Sequence, residues 1–138
     1  MVTPLRRKAR ELALQVLYQC ETTGQDCDQA LMLVLENFQA NRKAVDYAHQ
    51  LLRGIAERRG EIDRLIREHS AHWRLERMTL VDAAILRIGV FELMARPDVP
   101  ATVVINEALE IAARYSSDDA SSFINGILDA VRKELGRK

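Results

Sequence analysis

Apolar positions along this chain recur with a period near 3.6 and nowhere alternate with polar ones over the length of a strand. That pattern predicts an all-α protein, a compact helical bundle of six to seven helices in two small helical groups. The first helix runs from about Pro4 to Glu21, with Thr3 as N-cap, Pro4 at the first helical position and Gly24 closing the turn behind it. A second covers about 27–39, and a third begins near Arg42, passes Gly54 and breaks at Gly60. A further helix reaches about Ser70. Thr79 caps a helix to Ala95, with Asp82 in the first turn, where a carboxylate suits the macrodipole. RPDVP stops it, and a helix from Ala101 to Tyr115 follows. SSDD starts the last one, with Ser116 or Ser117 as N-cap, Asp118 and Asp119 in the opening turn, and Gly136 beyond Leu135. Short connections and the lack of any repeat of 30–45 residues predict a single domain over residues 1–138, with RPDVP as the seam between the two groups.

The first helix raises a question of charge. Arg6, Arg7, Lys8 and Arg10 occupy its opening turns, where the helix dipole is already positive. On a wheel of about 100° per residue, Leu5, Ala9, Leu12 and Val16 share the core face, whereas Arg7, Glu11, Leu14 and Tyr18 form the opposite, outward strip. Arg7 and Tyr18 then lie about 16 Å apart along that strip. A basic track beside an aromatic platform is what single-stranded RNA readers present, and a solvated helix start is the plain alternative. Near the other end, FINGIL places Asn125 and Gly126 inside an apolar run, which predicts close approach of a neighbouring helix or an Asn bond to a neighbouring backbone. Phe123 beside SSDD reads either as core or as a second stacking platform.

Composition narrows the classes. The chain has 138 residues, 48% apolar and 29% charged, which suits a globular fold and excludes a disordered one. No apolar run approaches a membrane span, and Glu11, Gln15 and Glu21 break up any secretory or mitochondrial leader, so the expected location is cytoplasmic. Net charge is zero but unevenly placed. Four cations and no anion stand in residues 1–10, and Arg132, Lys133, Arg137 and Lys138 oppose Glu134 at the end. Residues 98–129 carry Asp98, Glu107, Glu110, Asp118, Asp119 and Asp129 against Arg114 alone. Such polarity predicts two kinds of partner surface.

Candidate chemistry is sparse. Cys20 and Cys27 have no second pair to complete a zinc site and read as free thiols. His69 and His72 can share a helix face, but only Glu68 or Glu76 offers a third ligand, so no metal is expected. The serines and aspartates of 116–122 are accounted for by helix capping, and no GxSxG, P-loop, CxxC or HExxH occurs. Catalytic residues, cofactors and enzymatic activity are therefore not expected.

Three stretches taken together resemble a known family. RRKARELALQVLYQ at the start, VDAAILRIGVFEL in the middle and DVPATVVINEALEIAARYSSDDASSFINGILD near the end are similar, in order and over essentially the whole chain, to the NusB transcription antitermination factors. The resemblance implies an RNA-binding protein that recognises single-stranded boxA RNA of leader transcripts together with the ribosomal protein NusE. It further implies action within the RNA polymerase antitermination complex, notably on ribosomal RNA operons, and a homodimer as an alternative state that hides the RNA surface. Carried over residue by residue, Arg6, Arg7, Lys8 and Arg10 match the family's basic start, and Tyr18 an aromatic facing RNA. Asp119 and Phe123 match an acid and an aromatic at the RNA edge, and Asp82 an acid facing NusE. Many relatives carry Lys where this chain has Ser122, which removes one phosphate contact at that edge. Gln15 and Arg114 stand outside the matched set. Two other classes remain as alternatives. One is a helical protein–protein adaptor, and the other a stand-alone relative of the N-terminal module of RNA cytosine methyltransferases, which would need a downstream catalytic domain.

Overall fold

The computed structural model describes residues 4–37, 39–71 and 74–138; Thr3 and His72, named above, lie outside them. The described residues form seven α-helices: α1 (Pro4–Thr23), α2 (Cys27–Leu35), α3 (Arg42–Glu57), α4 (Arg59–Glu68), α5 (Leu80–Ala95), α6 (Ala101–Tyr115) and α7 (Ala120–Glu134). A short 3-10 turn, Leu75–Arg77, precedes α5.

Local chemistry sets most of the boundaries. Asp26 caps α2 by accepting from the Gln29 N–H at 2.9 Å, Asn41 caps α3 from Lys43 at 2.7 Å, and Thr79 caps α5 from Asp82 at 3.1 Å. Gly24 and Gly136 end their helices at φ 75° and 70°, where a Cβ would be strained. The break after α3 and the start of α7 differ from the sequence reading. The break after α3 falls at Arg58, not Gly60. SSDD forms a turn ahead of α7 instead of its first turn, with Ala120 N–H bonded to Ser117 O at 3.1 Å. Asp119 stands at the N-cap without a side-chain cap bond, and the Ser116 hydroxyl donates to Asp82 of α5.

The core runs without interruption through all seven helices. α5 is buried on every side from Asp82 to Leu93, so it sits at the centre with α3, α4, α6, α7 and α1 packed against it. α1 packs on α2, α3 and α5. RPDVP is thus not the seam: α5 and α6, on either side of it, pack closely, and the two groups, α1–α3 and α4–α7, meet along α5.

Close approach occurs at glycines other than the one singled out in FINGIL. A Cβ on Gly54 would run into the Phe91 ring, and one on Gly89 would come 2.9 Å from Leu128 Cδ2. These residues let α3 and α7 seat against α5. Gly126, by contrast, has nothing within reach, and both it and Asn125 are exposed.

Candidate nucleic-acid interface

The basic start of α1 lies against the acidic half of the chain, and the pairing is mostly intramolecular. Arg10, only 2% exposed, donates from Nε and Nη2 to the two oxygens of Glu92, each at 2.8 Å, and from Nη1 to Glu107 at 3.3 Å. Arg7 grips Glu107 from its other side, at 3.2 and 2.5 Å. The Tyr47 hydroxyl donates to Glu92 at 2.6 Å, and the guanidinium groups of Arg6 and Arg96 lie 4.7 and 5.0 Å from the Tyr47 ring. Asp98 joins those two arginines, accepting from Arg6 at 3.2 Å and from Arg96 at 3.1 Å.

The carboxylates that balance the helix dipole therefore come from α5, α6 and the loop between them, not from the first turn of α1. Burial alone would lower the Arg10 pKa, but its bonds to Glu92 outweigh that and raise it. The hydrogen bond to Glu107 likewise raises Arg7. Burial, followed by the Glu92 charge and hydrogen bond, pushes the Tyr47 hydroxyl well above the ordinary phenol range. Arg10 is accordingly a core clamp and is not presented to any ligand in this structure, which corrects its reading as an RNA contact. The charge polarity of the sequence is likewise spent mainly within the fold. At the far end, Arg137 donates to the α5 carbonyl of Leu93 at 2.7 Å, and Arg132 pairs with Asp129.

The exposed edge of α1 is rotated from the strip read off the wheel. Glu11 and Leu14 are buried, because α1 is covered on most sides, and the exposed positions are Pro4, Lys8, Gln15, Tyr18, Glu21, Thr22 and Thr23. Tyr18 is 47% exposed and stands about 15 Å from Lys8 along this edge. Arg6 and Arg7 flank it, half-exposed. The α6 C-terminus is fastened beside it: Glu11 accepts from the Tyr115 hydroxyl at 2.6 Å and from Arg114 at 3.5 Å. That contact sets the end of α6 beside α1; in the turn and helix start that follow, Asp119 and Ser122 are exposed and Phe123 is half-buried.

Asp82 differs from its expected role. It is 5% exposed and accepts from Ser116 Oγ at 2.5 Å, tying the start of α5 to the end of α6. It positions the corner and does not face outward. Sequence reading missed Tyr115, 41% exposed beside this edge, and the buried acceptors Glu92 and Glu107. For Glu92, an acid alone in the apolar run IGVFELMA is the signal that could have found it, since a buried carboxylate demands a cationic partner.

Among the described residues one cluster has metal-ligand types, Glu68, His69 and Glu134, and it lies away from this edge. His69 Nε2 is paired with Glu134 at 2.8 Å, and Glu68 with Arg64 at 2.7 Å. No helix among the described residues is long and apolar enough to cross a membrane.

Comparison with known proteins places this arrangement. A family model described as the NusB family matches residues 7–133. The transcription antitermination protein NusB of Myxococcus xanthus (strain DK1622) is 43% identical over 136 residues, covering 96% of this chain and 97% of that protein. That of Anaeromyxobacter dehalogenans (strain 2CP-1 / ATCC BAA-258) is 44% identical, covering 97% and 94%. A solved structure of T. maritima NusB superposes with a TM-score of 0.84 at 37% identity, covering 97% of this chain and 94% of the other. A crystal structure of antitermination factors NusB and NusE in complex with dsRNA superposes with a TM-score of 0.85 at 27% identity, covering 96% and 99%. The Myxococcus and Anaeromyxobacter relatives are both named as transcription antitermination proteins. With the match running from the basic start of α1 to the last turns of α7 and the helical fold shared throughout, the chain belongs to the NusB family.

Proposed function

We propose that this chain is a transcription antitermination factor that binds single-stranded boxA RNA of leader transcripts jointly with the ribosomal protein NusE. In this reading it acts in the cytoplasm, within the RNA polymerase antitermination complex, and supports transcription of ribosomal RNA operons. The observation that carries the proposal is the near-complete match, in sequence and fold, to proteins named for antitermination, one of them solved with NusE and RNA.

The geometry supports a division of labour. Lys8, with Arg6 and Arg7 at its flank, supplies salt-sensitive attraction to phosphates, while Tyr18 offers a ring to a splayed base. Phe123, Ser122 and Asp119 at the adjoining corner extend the edge, and Tyr115 adds a ring there. Arg10 and Asp82 act indirectly, by holding α1 to α5 and α5 to α6. No bond is made or broken in this function. RNA and NusE held on one body raise each other's effective concentration at the elongation machinery.

Binding of a boxA oligonucleotide, with and without NusE and across a salt series, tests the proposal. The expected result is preference for boxA over a scrambled sequence and tighter binding with NusE. Equal binding of both sequences with NusE present would overturn it.

A further inference from the structure

The RNA-facing edge leaves two thiols unused, and they face each other at the end of α1. Cys20 Sγ and Cys27 Sγ lie 3.6 Å apart, both half-buried. The turn between them is fixed on every side. Gly24 takes φ 75° and its N–H bonds Cys20 O at 2.9 Å, Gln19 Nε2 donates to Gln25 Oε1 at 3.2 Å, and the Thr23 hydroxyl donates to Gln19 O at 2.7 Å. Asp26 then caps α2, of which Cys27 is the first residue. A disulfide requires sulfurs about 2.05 Å apart, so closure asks for about 1.5 Å of approach, within reach of side-chain rotation. Two thiols with no third soft ligand do not make a zinc site. Hydrophobic packing alone does not require two sulfurs in contact at a hairpin where any small apolar pair would serve.

We propose that Cys20 and Cys27 are a redox couple that closes into an intramolecular disulfide on exposure to peroxides or low-molecular-weight disulfides, tying α1 to α2. With hydrogen peroxide, one sulfur attacks a peroxide oxygen and becomes a sulfenic acid as water leaves; the second sulfur displaces the sulfenic oxygen as a second water. Two thiols lose two electrons and two protons, and one peroxide becomes two waters. With oxidised glutathione, one sulfur forms a mixed disulfide and releases glutathione, and the other displaces the second glutathione. Burial, together with Cys27, Glu21 and Asp26, pushes the Cys20 thiol up to about 12, so Cys20 is protonated at neutral pH and the pair closes slowly. The Thr22 hydroxyl bonds Tyr18 O at 3.0 Å, so closure stiffens the turn of α1 that carries Tyr18.

The test treats the full chain with hydrogen peroxide or oxidised glutathione, quenches in acid, and reads non-reducing intact mass and the number of alkylatable thiols. The expected product is lighter by about two mass units, loses both thiols together, and is restored by dithiothreitol. It exchanges backbone amides more slowly across residues 18–27, and its Tm rises by several degrees. Cys20→Ser, unable to close, retains glutathione as a stable adduct on Cys27. Wild-type chain that keeps a stable glutathione adduct, loses its thiols independently, or yields only sulfinic acids or covalent dimers would overturn the proposal.

Discussion

At the scale of single residues, the four cations of RRKAR separate by what they touch. Arg10 is bonded to two buried carboxylates, so Arg10→Ala leaves Glu92 without its cation and Glu107 with Arg7 alone, a change expected to cost about 3–5 kcal/mol and to show as a large drop in Tm. Lys8→Ala, at an exposed position, leaves stability within about 0.5 kcal/mol. Its effect appears in the salt dependence of RNA binding, where the log–log slope falls by about 0.7 for one lost phosphate contact to a single strand. Tyr18→Ala should weaken RNA binding by about 1–3 kcal/mol at any salt, because stacking is not electrostatic. The sequence showed all four cations but not their partners, since Glu92, Asp98 and Glu107 lie more than 80 residues away in the chain and only the packing of α1 on α5 brings them near.

At the scale of elements, helix number and type were legible because the 3.6 period is strong and the caps are ordinary: Thr79, Gly24 and Gly136 do what their chemistry predicts. Two things were not. A wheel shows which face is apolar but not how many neighbours a helix has, and α1 is covered on enough sides that Glu11 and Leu14 are buried, with the exposed edge moved to Lys8, Gln15 and Tyr18. Glycine identity was equally silent about helix contact, which falls at Gly54 and Gly89 and not at Gly126. The difference has opposite signs in mutants. Gly126→Ala should stabilise the chain by about 0.5–1 kcal/mol, because an exposed mid-helix glycine is replaced with nothing in the way. Gly54→Ala, meeting the Phe91 ring, should destabilise it by about 1–3 kcal/mol. Denaturant melts of the two variants check both.

At the scale of the whole molecule, the opposed charge of the two halves is a folding device before it is a binding one: the basic start of α1 docks on acids of α5, α6 and the loop between them, and only the edge left over faces outward. Tyr47, within this network, and Cys20, at the end of α1, set a pH limit. Tyr47 and Cys20 are held protonated in the folded chain above their ordinary ranges, so their contribution is complete below the unfolded values and is lost as pH rises past them. Stability should be level near neutrality and then fall, from about pH 8.5 for Cys20 and from about pH 10 for Tyr47. Cys20→Ala should remove the early part of that fall and Tyr47→Phe the later part, read as Tm against pH. The central claim is that the exposed edge of α1, and not the buried arginines, meets RNA. Its most direct measurement is the boxA affinity, with NusE present, of a Lys8→Ala, Tyr18→Ala double variant whose melting temperature matches wild type. A fall in affinity of at least tenfold together with a shallower salt slope is the predicted result, and unchanged affinity in that folded variant would contradict the account.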